Sequence, residues 1–498
     1  MSFGHDIAAL VADFERGLLA KHPGWPRVKL SEVADLLNGF PYESMHFSDV
    51  SGIPLLRIRD ILPGRTETYY RGPLDDPRMF KVRNGDLVVG MDGDFNARIW
   101  QGGEALLNQR VCVLRAREAL YSQKFLAHLL PGYLKLINDN TSSVTVKHLS
   151  SKTVQDTPLP LPPLAEQRRI VSRVNALFAE IAEGEAALAA TREGLDTFRR
   201  ALLKAAVTGE LTKEWRADNP TTETGHDLLT RIVKERATKD QTKGRGRRNG
   251  DVTPLETSLL PPLPGHWTYA TLGELFDVST GSTPSRSDPT LWNGGIPWVS
   301  SGEVAFCRIR STRETITTAG LGNVATRLNP IGTVLLAMIG EGKTRGQCAI
   351  LDVAAANNQN AAAIRVSATL IPPEFVYEVL EERYFRSRRE SQGGNQPALN
   401  GGKVAEMAIP LPPLNEISEI LFRLSEARSA SADTLAMLDA EAADAARLRQ
   451  SILKAAFEGR LVPQDPADEP ASALLARMAT NPVAPRAGRG RPNRADEA

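Results

Sequence analysis

The chain repeats itself. Residues 160–164 read PLPPL and residues 410–414 read PLPPL again, while LLKAAVTGEL at 202–211 returns as ILKAAFEGRL at 452–461. Both pairs stand 250 positions apart, so the stretch between the two motifs has the same length in each half. Asn219-Pro220 and Glu469-Pro470 keep that offset, and DLLTRI (227–232) echoes ALLARM (473–478) at 246. A period this long means one module of about 250 residues folded twice, which restricts the architecture to what two like modules can build.

The rest of each module matches only in outline. Trp25 and Trp267 each stand five residues before a leucine, Leu30 or Leu272. IPLLRIRDI (53–61) parallels IPWVSSGEV (296–304), and NGDLVVGMDGD (84–94) parallels IGTVLLAMIGE (331–341). Gly85 and Gly332, and Gly93 and Gly340, share the offset 247, and Asn108-Gln109 corresponds to Asn358-Gln359. Glycine-bounded apolar runs of this kind predict strands that enter turns. Scaffold positions agree while the residues between them do not, as expected of two copies that read different ligands.

The well-matched part is helical. From Ile170 the spacing alternates four and three through Val174, Leu177, Ile181, Gly184, Leu188, Thr191, Leu195, Phe198 and Leu202, a heptad seam. The second copy keeps register through Ile420, Leu424, Ala427, Ser431, Thr434, Leu438, Glu441, Ala445, Leu448 and Ile452. Pro162-Pro163 and Pro412-Pro413 cannot lie inside a helix, so each helix starts just after its pair. A rod from Leu164 to Ala206 would be roughly 65 Å long at about 1.5 Å per residue. A lone seam would normally pack on its own domain, but two equal seams in one chain supply a partner for each other. Residues 231–251 read as a basic, disordered linker, and 481–498 as a disordered tail. In that tail Arg489-Gly490-Arg491-Pro492 matches an arginine hook for narrow minor grooves.

Composition excludes most alternatives. The 498 residues carry 60 Lys+Arg against 59 Asp+Glu, with 42% hydrophobic and 24% charged, which excludes global disorder and collagen. No apolar run approaches the roughly 20 residues of a membrane helix, and the start lacks the order of a secretory signal, so the expected location is cytoplasmic. Net charge near zero does not exclude a basic face. Cys112, Cys307 and Cys348 have no close partner and read as buried thiols rather than a zinc or redox pair. IGEGKT (339–344) fails as a phosphate loop because Ala337 stands where the first glycine belongs. DGDFNA (92–97) fails as a calcium loop at Ala97 and Gly103. The seven histidines form no HExxH, and there is no GxSxG, GxGxxG or Asn-Pro-Pro-aromatic motif. The sequence therefore predicts no catalytic, cofactor-binding or metal-binding residues.

PLPLPPLAEQRRIVSRVNALFAEI (158–181) with LLKAAVTGEL, and AIPLPPLNEISEILFRL (408–424) with ILKAAFEGRL, resemble the specificity subunit of Type I restriction-modification enzymes. The likeness runs from Trp25 to about Met478; Ile417 replaces the glutamine of the Glu-Gln pair in the second copy. The resemblance implies an α+β fold in which two globular target-recognition domains are separated by two long antiparallel helices forming a coiled coil, an internal duplication with pseudo-twofold symmetry. The expected boundaries are domain 1 at 1–163 with an N-terminal helix, spacer helix 1 at 164–210 and a basic linker at 211–255. Domain 2 follows at 256–413, spacer helix 2 at 414–462 and a tail at 463–498. The implied function is non-catalytic recognition of a bipartite double-stranded DNA site. Two modification subunits and the restriction subunits would be its partners, and S-adenosylmethionine, ATP and Mg would sit on those partners.

Reading bases requires Arg or Lys for guanine and Asn or Gln for adenine. The polar loops at matching places offer Arg57, Arg59, Asn108, Arg110, Lys147 and His148 in the first domain. In the second they offer Lys343, Arg345, Asn358, Gln359, Gln396 and Asn400, with Arg489 and Arg491 in the tail. The competing reading is a coiled-coil scaffold without DNA readout, against which stand two divergent globular copies that a spacer would not need.

Overall fold

In a computed structural model the described residues are 6–13, 19–141, 146–242, 260–322, 327–340, 344–390 and 399–480. The chain divides into two compact units, Met1–Leu188 with Asp439–Ala498, and Ala189–Leu438. Each unit therefore takes one recognition module, part of both long helices, and the segment that follows the other module's helix.

The first unit holds a four-stranded antiparallel sheet ordered Ala34–Asn38, Val111–Ala116, Leu87–Gly90, Ala97–Ile99. A second sheet includes Ile53–Leu56, which pairs in parallel with Ala105–Leu107. The second unit repeats the pattern with Asp277–Thr280, Ala361–Arg365, Val334–Ala337 and Cys348–Leu351, and with a parallel pairing of Trp292–Val299 and Ala356–Asn357. Leu87, Val88 and Val89, like Val334, Leu335 and Leu336, are buried on both faces, which is why these strands read as continuous apolar runs. Two short ribbons, Arg27–Lys29 with Pro158–Pro160 and Thr268–Thr271 with Ala408–Leu411, close each module at its ends.

The long helices are uninterrupted, Leu164–Thr208 and Leu414–Phe457. Both begin immediately after the proline pair, whose missing N–H groups suit the first turn. Both end before a glycine in the left-handed region, Gly209 (φ 80°) and Gly459 (φ 71°). In the first unit Ile170, Val174 and Ile181 share a core with Ile452, Ala456 and Phe457. In the second, Ala206 and Val207 share one with Ile417, Ile420 and Leu424. In both, the start of one helix meets the end of the other, which makes the pair antiparallel. The seam is thinner than its heptads suggest: Gly184, Thr191, Phe198, Glu441 and Leu448 are exposed.

The stretch 211–255 is not simply a linker. It contains helices Lys213–Asp218 and Gly225–Thr242, and Leu228 and Ile232, one turn apart, are buried in the second unit's core. Residues 231–242, expected to be disordered, continue that helix; 243–251 lie outside the described residues. The equivalent segment after the second long helix, with Leu461 and Leu474, packs into the first unit.

Candidate nucleic-acid interface

In the first unit a turn between strands Leu87–Gly90 and Ala97–Ile99 carries Asp92 at its centre. The Asp92 carboxylate accepts from Arg110 Nη1 at 2.5 Å through one oxygen and lies 2.7 Å from His148 Nδ1 through the other. Its side chain is only 13% exposed, whereas Arg110 and His148 are 62% and 58% exposed, so the acid is an anchor under two outward cations or donors. Lys147 Nζ donates to the Asn138 carbonyl (2.7 Å) and side-chain oxygen (3.0 Å), and Asn138 in turn donates to the Gly93 carbonyl. Gly93 closes the turn at φ 74°, a conformation that costs glycine little.

Beside this turn lies the bend that follows Ile53–Leu56. Asn108 N–H donates to the Leu56 carbonyl at 3.2 Å, placing Asn108 next to Arg57. The Arg57 guanidinium lies 5.5 Å from the Phe47 ring centre. Arg59 donates to Thr68 at 2.9 Å. Gly90 abuts Ile58 so closely that an added Cβ would sit 3.1 Å from its side chain. The structure thus brings all six first-domain candidates to one end of the sheet.

The second unit uses the same frame with other residues. Asn358 N–H donates to the Val299 carbonyl at 3.0 Å, as Asn108 does to Leu56. Met338 N–H donates to Asn360, as Met91 N–H does to Arg110. The places of Asp92 and Arg110 are thereby held by Ile339 and Asn360. Asn358 itself is buried, its amide 3.5 Å from Ser301 and its side-chain oxygen accepting from Asn360 N–H. Gln359 is exposed and accepts from Thr283 at 2.5 Å. Arg345 lies in the turn before Gly346, where an added Cβ on the glycine would sit 3.3 Å from the Tyr384 ring. Asn400 is a helix cap rather than a free loop residue: it accepts from Lys403 N–H at 2.9 Å, just as Ser150, 250 positions earlier, accepts from Thr153 N–H at 3.0 Å. Lys343, Gln396, Arg489 and Arg491 lie outside the described residues.

Sequence reasoning missed Asp92, whose signal was confined to a failed calcium loop, and Asn360, which precedes a strand. Among the described residues no group of three His, Cys, Asp or Glu side chains is placed to hold a metal, and no helix is long and apolar enough to cross a membrane. Cys112 and Cys348 are buried, and burial pushes the Cys112 thiol up to about 12.

Residues 23–188 and 264–434 match the family described as the Type I restriction modification DNA specificity domain. Each match opens just before its tryptophan, Trp25 or Trp267, and runs into a long helix. The EcoBI specificity subunit of Escherichia coli is 34% identical over 473 residues, covering 94% of this chain and 93% of that protein. The EcoDI specificity subunit of the same species is 24% identical, covering 77% and 80%. A chain solved in work on complex assembly and conformational transition of the type I R-M system shares the fold, with a TM-score of 0.59 at 20% identity over 89% of this chain and 99% of that one. With two matched domains that together span well over half its length, this chain belongs to the Type I restriction-modification DNA specificity family.

Proposed function

We propose that this chain reads an asymmetric bipartite site in double-stranded DNA, one half through each unit, and positions two modification (methyltransferase) subunits and the restriction subunits on it. The observation that carries this reading is one backbone frame bearing different side chains at equivalent places: Asp92 and Arg110 in one unit, Ile339 and Asn360 in the other. Equivalent frames with unlike contact groups suit half-sites of unlike sequence. In the first half the base- and phosphate-contacting groups are Arg57, Arg59, Asn108, Arg110, Lys147 and His148. In the second they are Lys343, Arg345, Gln359 and Gln396, with Asn358 and Asn400 supporting their loops and Arg489 and Arg491 available from the tail. Adenine methylation, with S-adenosylmethionine, and cleavage, with ATP and Mg, fall to the partner subunits in the cytoplasm.

The test is to exchange residues 1–163 for the same region of a related subunit and sequence the host methylome. We expect one half of the methylated site to change while the other stays. A change in both halves would show that the units do not read independently.

A further inference from the structure

The joint between each recognition module and the long helices is built from the same backbone but from two different chemistries. In the second unit the helix Pro373–Glu390 turns three carboxylates, Glu378, Glu381 and Glu382, inward, none more than 5% exposed. Arg428, on the second long helix, donates to both oxygens of Glu378 at 2.5 Å each and to Glu381 at 2.9 Å. Arg199, on the first long helix, donates to the other oxygen of Glu381. Glu382 pairs with Arg386 on its own helix. Burial pushes Glu378 up to about 7 against the pull of Arg428.

The first unit's counterpart is the helix Gln123–Asp139, in register because Phe125 and Phe375, both fully buried, stand 250 apart. At the places of Glu378, Glu381 and Glu382 it has His128, Pro131 and Gly132. On the long helices Phe178 replaces Arg428 and Asn175 replaces Ser425. The His128 ring meets Phe178 edge-on at 5.8 Å, and its Nε2 lies 3.0 Å from Asn175 Oδ1. Burial lowers the His128 pKa, which favours the neutral ring. Arg449, the counterpart of Arg199, lies over Phe178 and binds Glu185 on the facing helix instead of reaching the module. The place of Glu185 is Leu435 in the other copy.

We infer that this joint is a matching surface: the carboxylate face of helix Pro373–Glu390 accepts a helix pair that presents Arg428 and Arg199 and rejects one that presents Phe178 and Asn175. Duplication creates the need for it. Two like modules and two like helix segments could otherwise pair in the wrong combination, within one chain or between two copies of this chain. Setting Glu378 against Phe178 would bury a carboxylate without its guanidinium, and setting His128 against Arg428 would leave the arginine without an acid. The first error is a repulsive element of the kind that gives pairing its specificity, and the second forfeits an attraction. The inference concerns assembly and does not depend on which residues read DNA.

The test uses the full-length chain at pH 8, above the Glu378 value, with melting temperature and the fraction of soluble monomer as readouts. In one variant residues 264–413 are replaced by a second copy of residues 23–163. On the unaltered helices we expect it to be largely aggregated or swapped into dimers. Adding Ser425→Asn, Arg428→Phe and Leu435→Glu, which give the helices the first unit's docking residues, should recover the monomer severalfold. In a second arm the same three substitutions in the otherwise natural chain should lower the second unit's melting by about 10 °C. Adding Glu378→His and Glu381→Gln should recover at least half of that loss. The inference is overturned if the duplicated-module variant is monomeric and equally stable without the helix substitutions. Failure of the module-side substitutions to recover any melting temperature would overturn it as well.

Discussion

Glu166 and Glu416, 250 positions apart, show how one residue in one motif can be given opposite acid behaviour by its neighbours. Each accepts the indole N–H of its module's tryptophan, Trp25 at 3.2 Å and Trp267 at 2.8 Å. Burial pushes Glu166 above its ordinary value of 4.5, and hydrogen bonds from Gln464 and Trp25, with smaller contributions from His22 and Arg169, only partly oppose it. Burial acts the same way on Glu416, but Thr212, Trp267 and His266, with the Arg216 charge, outweigh it and hold the carboxyl below 4.5. The signs follow from linkage. The raised Glu166 binds its proton more tightly when folded, so its contribution is full below about 4.5 and lost as pH rises through its folded value. The contribution of the depressed Glu416 is present above about 4.5 and lost as pH falls through its folded value. We expect Glu416→Gln to cost most at neutral pH, with the deficit narrowing in acid, and Glu166→Gln to cost least at neutral pH. Melting curves from pH 4 to 8 would show the two trends; parallel trends would contradict the assignment. At the proposed interface, Arg110→Gln removes the group best suited to a guanine, and a bidentate contact is worth about 1–3 kcal/mol. Methylation should fall about 10- to 100-fold at sites otherwise unchanged in the half read by the second unit. Asp92→Asn, which keeps the shape but not the anchor charge, should relax selectivity in the first half. Sequencing the residual methylated sites would check both, and equal losses in the two halves would speak against a place for Arg110 in the first half-site.

Elements were legible wherever a local rule decided them. The proline pairs mark where Leu164–Thr208 and Leu414–Phe457 begin; their ends, expected at 210 and 462, fall just before Gly209 and Gly459, because only a residue without a Cβ turns there at little cost. At Gly459 an added Cβ would also meet His22 at 2.8 Å. Gly459→Ala should therefore destabilise the first unit by about 1–3 kcal/mol, measured by denaturant unfolding. A neutral effect would mean that the segment after the helix does not hold its place on the module. What escaped the sequence was non-local. Leu228 and Ile232 lie in a run whose charge suggested a linker, and only packing against the second module reveals them as core. The heptads predicted a continuous seam, yet positions such as Thr191 and Glu441 carry no large apolar side chain, and apart from Leu438 the helix middles are exposed or half-buried. The loop residues proposed for the first module stand out in sequence because charge clusters there. The capping role of Asn400 was not legible, because an N-cap asparagine looks like any loop asparagine until the helix behind it is seen. The Glu378–Arg428–Glu381 cluster was invisible because it joins a module to a helix about 50 residues away and has no counterpart in the other copy.

For the molecule as a whole, the duplication assigns each long helix to both units, residues 164–188 and 439–457 to one and 189–208 and 414–438 to the other. Under the proposed function two half-sites need a constant spacing, and each long helix runs uninterrupted from one unit into the other. If the pair sets the spacing, shortening it should shorten the gap in the site. The cut cannot fall where the helices hold their modules: removing 177–183 with 427–433 would take Phe178, Ile181 and Arg428, each of which joins a helix to a module or core. Residues 186–192 and 436–442 are better placed, because their side chains are exposed or half-buried apart from Leu438. Leu188 and Glu441 also line the same groove in the first unit, so the two cuts face each other and the antiparallel register survives on both sides. Removing a full heptad from each helix keeps the seam in phase, since Leu195 then follows Ile181 at the spacing that Leu188 had. A heptad is about 10 Å of helix, close to three base pairs at about 3.4 Å each. The expected product is a methylated site with both half-sequences unchanged and a gap about three base pairs shorter, read by methylome sequencing of a host that carries the variant. Full activity on the original gap would show that something other than these helices sets the spacing.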